Sequence, residues 1–81
     1  MDNDNKITTQ AVRNFAELKN RYSYHPPKGN QAERYNRIRE ACLGLALVIN
    51  DCCPHSRERS SAFTDLDAVM MRANASIARN E

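Results

Sequence analysis

The chain has 81 residues, of which 41% are hydrophobic and 27% are charged, and its formal net charge is +2. This balance is typical of a folded domain and excludes an intrinsically disordered chain. A single domain of this size buries only roughly 60% of the surface that its unfolded chain exposes, so oligomerisation is an expected source of stability. The nearly neutral charge disfavours a purely electrostatic binder of nucleic-acid polymers.

The sequence also predicts where the protein works. No apolar run approaches the roughly 18 residues that a membrane-spanning helix needs. The N-terminus MDNDNK lacks the basic and then apolar pattern of a secretory signal. Three cysteines, Cys42, Cys52 and Cys53, include an adjacent pair, which favours a reducing compartment over a disulfide framework. We therefore expect a cytoplasmic protein without a membrane partner.

The N-terminal part of the chain is predicted to be a polar tail and a short helix. Residues 1–6 contain too little apolar surface to offset the entropic cost of ordering them, so we expect this tail to be frayed. The helix begins with Thr8 or Thr9 as a cap and ends near Asn20. Its narrow apolar face, which predicts packing on the hairpin or on a neighbouring subunit, contains Ala11, Phe15 and Leu18.

A stiff loop follows the first helix. Pro26 and Pro27 each fix φ at about −65° and hold the preceding residue extended. Gly29 then permits a turn. Asn30 followed by Glu33 matches the capping-box pattern that marks a helix N-terminus.

The second and third helices are predicted to form a long antiparallel hairpin. The second helix runs from Asn30 to Cys52 or Cys53, Pro54 ends it, and Ser56 caps the third. The short connection requires the helices to fold back on each other. Both helices carry apolar residues at alternating steps of three and four, the pattern of matching seams. They are Tyr35, Ile38, Cys42, Leu45, Ile49 and Cys52 in the second helix, and Phe63, Leu66, Met70, Ala73 and Ile77 in the third.

A second apolar stripe on the second helix lies outside this seam. It contains Leu43, Leu47 and Val48 beside Gly44. Either the first helix or a neighbouring subunit is expected to cover it. The predicted fold is therefore all-α, with a short N-terminal helix and a long antiparallel helical hairpin, and it is oligomeric.

The hairpin gathers positive charge at one end, because residues 34–39 approach the end of the third helix and Arg79. Guanidinium groups suit phosphate oxygens, while Tyr24, His25 and Tyr35 offer flat faces on which a base can stack. These residue types predict a nucleotide as the ligand. The alternative interpretation is a solvated basic face with Tyr35 in the core.

Patterns for catalysis and metal binding are weak. Asp65 and Asp67 face different sides of a helix and form no acid/base dyad. Adjacent Cys52 and Cys53 with His55 lack the spacing of a zinc site. With two glycines, the chain has no glycine-rich phosphate loop. We therefore expect a protein that is not an enzyme and that has no metal or cofactor.

Two blocks of the sequence resemble a known family. They read YHPPKGNQAERYNRIREAC and CCPHSRERSSAFTDLDAVMMRANASIARNE. They are similar to the helical hairpin shared by phage anti-CBASS proteins and Thoeris anti-defence proteins. The resemblance divides the chain into an N-terminal tail and short helix, residues 1–21, and a cyclic-nucleotide-binding hairpin, residues 22–81. Members of the family are sponges, commonly hexamers, that sequester cyclic nucleotide messengers without cleaving them.

The resemblance implies roles for particular residues. Tyr24 stacks on a base, Arg39 pairs with phosphate, and Arg79 closes the pocket, from the same or a second subunit. The full set of implied ligand-binding residues is Tyr24, His25, Pro26, Lys28, Tyr35, Arg39 and Arg79. A candidate second pocket, for cyclic trinucleotides, consists of Ser56, Arg57 and Arg59.

The expected function is that of a phage anti-defence protein in the cytoplasm of the infected host. It sequesters cyclic dinucleotides, or cyclic trinucleotides or cyclic ADP-ribose isomers, and so blocks effector activation. Pro54 and His55 replace a pair of prolines common in the family, and Met71 replaces an aromatic residue, which leaves the ligand range open. The alternative is an RNA-binding or protein-binding helical hairpin, whose affinity for RNA would fall steeply with salt.

Overall fold

The computed structural model describes the backbone of residues 2–81 and the side chains of residues 10–81. Three α-helices follow one another: α1 spans Asp2–Tyr22, α2 spans Gln31–Cys52 and α3 spans Arg57–Asn80. No strand occurs in residues 2–81. The all-α prediction is confirmed.

Helix α1 is longer than the sequence predicted. It begins at Asp2 and not at Thr8 or Thr9, so the expectation of a frayed tail is wrong for residues 2–6. Met1 lies outside the described residues. The physical reason is that neither proline nor glycine precedes Pro26, so nothing in the sequence interrupts the helical hydrogen bonds before that point.

Among residues 10–22, the contacts that fasten α1 to the hairpin lie in its last turn. The side chains of residues 10–22 are all exposed. The side-chain amide of Asn20 donates from Nδ2 to the main-chain oxygen of Arg79 at 3.1 Å. In return, Arg79 donates from Nη2 to the main-chain oxygen of Arg21 at 3.3 Å. Helix α1 is therefore anchored at its end and does not lie along α2 and α3.

Helices α2 and α3 pack against each other as the predicted antiparallel hairpin. The end of α2 comes just before Pro54, where the N–H of Cys53 donates to the oxygen of Ile49 at 3.0 Å. Ser56 caps α3, since its Oγ accepts the N–H of Arg59 at 3.1 Å. The predicted stop and the predicted cap are both confirmed.

The start of α2 is held by contacts that differ from the prediction. The Asn30 side chain makes no capping hydrogen bond, because its backbone (φ −92°, ψ 15°) is not extended as a capping residue usually is. Gly29 supplies the turn with a positive φ of 58°. The side-chain Oε1 of Gln31 then accepts the N–H of Lys28 at 3.1 Å, while its own N–H donates to the Lys28 oxygen at 3.1 Å. The capping-box prediction for Asn30 and Glu33 is wrong.

The seam between α2 and α3 is half-buried. All five seam residues predicted in α3 are half-buried, and so are Tyr35, Ile38, Cys42 and Ile49 in α2. Leu45 is 50% exposed and Cys52 is exposed, so these two predictions are wrong, and Ala46 lies in the seam instead. A straight helix drifts about 20° per heptad from a seven-residue repeat, so the predicted stripe rotates out of the contact.

Taken alone, the chain is flat and has no apolar core. Its Cα extents are 63 × 34 × 14 Å. Among residues 10–81, no hydrophobic side chain is buried, and the stripe of Leu43, Leu47 and Val48 is 55% to 60% exposed. Helix α1 therefore does not cover this stripe within one chain. Over the residues searched, none of the helices combines the length and apolar character needed to cross a bilayer.

Candidate functional site

A pocket of about 530 Å³ lies where the end of α1, the proline loop, the start of α2 and the end of α3 meet. This volume is within the range of about 300 to 1,000 Å³ that is usual for small-molecule sites. Four of the seven predicted ligand-binding residues line it: His25, Pro26, Lys28 and Arg79. The antiparallel hairpin thus brings the loop and the end of α3 together, as the sequence analysis expected.

The loop is held against α1 by its histidine. His25 donates from Nε2 to the main-chain oxygen of Asn20 at 2.7 Å. Together with the fixed φ of Pro26 and Pro27, this bond positions one wall of the pocket before any ligand arrives. The Arg79 contacts with α1 secure the opposite wall.

The other three predicted residues do not line this pocket within one chain. Tyr24 is 83% exposed beside it. Tyr35 is half-buried in the hairpin seam. Arg39 is exposed, and its Nη1 donates to Oδ1 of Asn36 at 3.4 Å. Their assignment as ligand-binding residues stays a prediction.

Three donor side chains, one from the loop and two from the first turn of α2, converge on Glu81. Arg34 donates from Nη1 to Oε2 of Glu81 at 2.9 Å and from Nη2 to Oε1. Gln31 donates from Nε2 to the same Oε1 at 3.3 Å. Lys28 donates from Nζ to the main-chain oxygen of Glu81. We call Lys28, Gln31 and Arg34 the anion cradle.

The electrostatics of the cradle follow from these bonds. Hydrogen bonding by the Arg34 guanidinium, with help from Gln31, holds the pKa of the Glu81 carboxyl below its ordinary value. The Glu81 carboxylate, which accepts the hydrogen bonds of Arg34, raises the pKa of Arg34 in return. Both groups are therefore charged at neutral pH, and the site is built to hold an anion.

Sequence reasoning gave no role to Gln31 or Glu81 and treated Arg34 as one of several arginines. A signal was available, because an antiparallel hairpin of two helices of similar length puts the last residues of α3 opposite the first turn of α2. An acid at that end must face whatever base or amide begins α2. Gln31 is only 4% exposed, which periodicity could not indicate for a polar residue at a helix start.

A second depression lies along the hairpin on the other side of Arg34. It has a volume of about 360 Å³, and its walls include Arg37, Ile38 and Ile77. The Nε atom of Arg34 is buried and has no hydrogen-bond partner among residues 10–81. Arg34 thus borders this depression, while its guanidinium fork binds Glu81, which lines the first pocket.

At the opposite end of the hairpin, Arg59 is directed into the turn. It donates from Nη1 to Nδ1 of His55 at 2.9 Å and from Nη2 to Oδ1 of Asn50. Its guanidinium carbon lies 5.3 Å from the ring centroid of Phe63, within cation–π range. Arg59 therefore joins the turn to α2.

The three residues of the candidate second pocket are separated in function within one chain. Ser56 caps α3 and Arg59 fastens the turn. Arg57 borders a depression of about 500 Å³ whose walls include the acidic residues Glu58 and Asp65. These two carboxylates disfavour an anion there, and the second pocket stays a prediction.

Comparison with known proteins identifies the hairpin. A family model described as "Acb2/Tad1, hairpin domain" matches residues 15–78. The chain belongs to this family. It is the anti-CBASS and anti-Thoeris sponge family, so the resemblance found in the sequence is confirmed. No curated protein and no solved structure matches the chain.

The matched range covers the hairpin and the proline loop, and it begins within α1. Arg79 and Glu81 follow the matched range. The sponge family sequesters its ligands and does not transform them, in keeping with the expectation that this protein is not an enzyme. The division of this chain at residues 21 and 22 stays a prediction.

Proposed function

We propose that this protein is a phage anti-defence sponge. It binds cyclic oligonucleotide second messengers in the cytoplasm of the infected bacterium and holds them intact, so that their effector is not activated. Cyclic dinucleotides are the primary ligands, with cyclic trinucleotides and cyclic ADP-ribose isomers as further members of the same class. The observation that carries the proposal is the family match over residues 15–78.

The pocket at the meeting of the helices supports this function. Lys28 and Arg34 provide charge-assisted donors for phosphate oxygens, and such bonds are about twice as strong as neutral ones. Pro26 and His25 form a wall that is fixed before binding. Tyr24 has an exposed ring next to this wall, where it can stack on a base.

A sponge must bind its ligand more tightly than the receptor does. Against a nanomolar receptor, this requires about −12 kcal/mol of binding free energy or better. A pocket with fixed walls loses less conformational entropy on binding than a flexible one, so more of the contact energy appears as affinity. The contacts that fasten the loop to α1 and α1 to α3 therefore serve binding as well as folding.

We also propose that the protein is a homo-oligomer, a hexamer by resemblance to the family. The support is the exposed apolar surface, because the largest patch on a stable monomer is usually only about 300 to 600 Å². Here both α1 and α2 expose apolar stripes: Val12, Phe15 and Leu18 on α1, and Leu43, Leu47 and Val48 on α2. A neighbouring subunit then supplies the Tyr35 and Arg39 groups that the pocket of one chain lacks.

Calorimetric titration tests the sponge function. The purified protein is titrated with cyclic dinucleotides, cyclic trinucleotides and cyclic ADP-ribose isomers, with linear dinucleotides as matched controls. We expect submicromolar binding of at least one cyclic ligand, weaker binding of its linear form, and recovery of the ligand intact after the complex is denatured. Failure of every cyclic ligand to bind, or recovery of a cleaved product, would contradict the proposal.

The site assignment has its own test. Tyr24→Ala and Arg39→Ala are each expected to weaken binding of that ligand at least about tenfold, since each removes a stacking face or a charged hydrogen bond. Circular dichroism checks that helicity is unchanged. Arg72→Ala, at an exposed position that belongs to neither predicted pocket, is the control for the loss of one positive charge. Wild-type affinity in both Tyr24→Ala and Arg39→Ala would refute their assignment.

A further inference from the structure

The anion cradle already holds an anion that belongs to the chain itself. The Glu81 carboxylate accepts a two-pronged hydrogen bond from Arg34 and a third bond from Gln31. A guanidinium fork binds a phosphate group with the same geometry as a carboxylate. Glu81 lines the pocket and occupies the donors with which a phosphodiester at the same position would pair.

The cradle is rigid on the side of its donors. Gln31 is 4% exposed, and both ends of its amide are used, since Oε1 accepts the N–H of Lys28 and Nε2 donates to Glu81. Lys28 lies three residues before Gln31 in the loop, and Arg34 lies three residues after it in the first turn of α2. Removal of Glu81 would leave these donors in place, because the Lys28 and Gln31 backbones are joined by their own hydrogen bond.

The Glu81 side of the contact is weaker. The side chain of Glu81 is 42% exposed and that of Arg34 is 32% exposed, so water competes for their ion pair. Glu81 follows the last residue of α3, so its side chain can turn away without unfolding the helix. A phosphodiester carries the same single negative charge and can replace the carboxylate without leaving the cradle unpaired.

We propose that Glu81 is a displaceable internal anion, which holds Lys28, Gln31 and Arg34 in place in the free protein and competes with a ligand phosphate for them. For the identity of that ligand the inference rests on the proposed function. Glu81 lowers the affinity for every anionic ligand, because the cradle is available only in the fraction of molecules in which Glu81 has turned away. When no ligand is present, Glu81 keeps the donors of Lys28, Gln31 and Arg34 paired.

Glu81→Gln tests the competition, with Glu33→Gln as the matched control. Both substitutions remove one negative charge from the same end of the hairpin. Glu33 lies in the first turn of α2 and has no hydrogen bond to the cradle among the contacts of residues 10–81. We expect Glu81→Gln to bind the cyclic dinucleotide at least about threefold more tightly than the wild type, as the loss of a weak competing ion pair requires. Glu33→Gln should change the affinity less than twofold.

The outcomes separate this inference from the function on which it rests. If the wild type binds and Glu81→Gln binds equally or more weakly, Glu81 is not a competitor and the inference is wrong. An equal gain in Glu33→Gln would show long-range charge and not occupation of the cradle, and would also overturn it. Unchanged helicity by circular dichroism shows that the variants are folded.

A second experiment measures anion binding to the cradle without any cyclic nucleotide. Inorganic pyrophosphate is titrated into wild type and Glu81→Gln while the side-chain N–H resonances of Gln31 and Arg34 are followed by NMR. Tighter pyrophosphate binding in Glu81→Gln supports the inference, even if no cyclic nucleotide binds and the sponge function fails. The same pyrophosphate affinity in both proteins contradicts it.

Discussion

Gln31 is the residue on which the start of α2 depends. It is buried, its Oε1 accepts the N–H of Lys28 in the loop, and its Nε2 donates to Glu81 after α3. One amide therefore connects the loop, α2 and the end of α3. Sequence rules assign the capping role to Asn30 instead, since asparagine is a preferred capping residue and glutamine is not.

Alanine substitutions of Gln31 and Asn30 distinguish what the two side chains contribute at the start of α2. Gln31→Ala should lower the free energy of unfolding by about 1 to 2 kcal/mol, because it removes a buried side chain that accepts the Lys28 N–H and donates to Glu81. Asn30→Ala should change it by less than about 0.5 kcal/mol, since the Asn30 side chain makes no capping bond. Urea unfolding at one protein concentration measures both. A larger loss of unfolding free energy in Asn30→Ala than in Gln31→Ala would contradict the observation that the Asn30 side chain makes no capping bond.

The Arg34–Glu81 pair predicts a pH dependence of stability. Hydrogen bonding by Arg34 and Gln31, together with the nearby charge of Lys28, favours the ionised Glu81, whose pKa in the folded protein is lowered. A group with a lowered pKa contributes stability that is present above its unfolded pKa, about 4.3 for glutamate, and is lost as the pH falls through the folded value. Arg34, with a raised pKa, stays charged throughout this range.

The wild type should therefore have a higher Tm than Glu81→Gln at pH 7, and the difference should shrink as the pH is lowered below about 4. Thermal unfolding followed by circular dichroism at one protein concentration measures the difference. Glu33→Gln controls for the change of net charge. A Tm difference that does not vary between pH 7 and pH 3 would show that the carboxylate of Glu81 does not stabilise the hairpin.

At the scale of the helices, the turn between α2 and α3 is fastened by one arginine. Arg59 reaches back to Asn50 and His55 and packs over Phe63, so it closes the loop from inside α3. This is a structural use of a residue that the sequence analysis assigned to a second pocket. The capping of Arg57–Asn80 by Ser56 adds to the same junction.

Arg59→Ala should lower the free energy of unfolding by about 1 to 2 kcal/mol, through the loss of two side-chain hydrogen bonds and a cation–π contact. Arg57→Ala removes the same charge two residues earlier, where no such contacts are made in residues 10–81, and should cost less than about 0.5 kcal/mol. Urea unfolding compares them. Equal losses in the two variants would mean that charge, and not the turn contacts, is responsible.

For the whole molecule, the central fact is a flat hairpin without an apolar core. The extent of 14 Å in its thinnest direction corresponds to a single layer of helices. Stable domains have at least two layers around a core, and this is why we propose that a second copy of the chain supplies the second layer. The exposed stripes on α1 and α2 are the surfaces that a second copy of the chain would cover.

Assembly is tested by Leu47→Glu, which puts a charge into the stripe on α2. We expect wild type to be oligomeric by light scattering at micromolar concentration, and Leu47→Glu to shift towards the monomer, because burial of an unpaired charge is costly. Ser60→Glu adds the same charge at an exposed polar position and serves as the control. A monomeric wild type would remove the support for assembly.

Local chemistry in the sequence was sufficient to predict much of the fold. Pro54 ends α2 and Ser56 caps α3 because steric exclusion and capping act within a few residues. Apolar residues such as Phe63 and Ile77 lie in the seam because their spacing holds over the whole of α3. The short connection between the helices requires an antiparallel hairpin, so the loop at His25 and the end of α3 at Arg79 could be expected to meet.

Only the tertiary structure decided which groups face one another across the hairpin. Leu45 turns to solvent because the helical repeat of 3.6 residues accumulates a rotation that a heptad count ignores. Glu81 meets Arg34 because the relative lengths of α2 and α3 set their register. Arg59 binds Asn50 because the short turn brings the start of α3 beside the end of α2. Contacts between distant residues depend on phase and register summed over whole helices, which short sequence motifs do not contain.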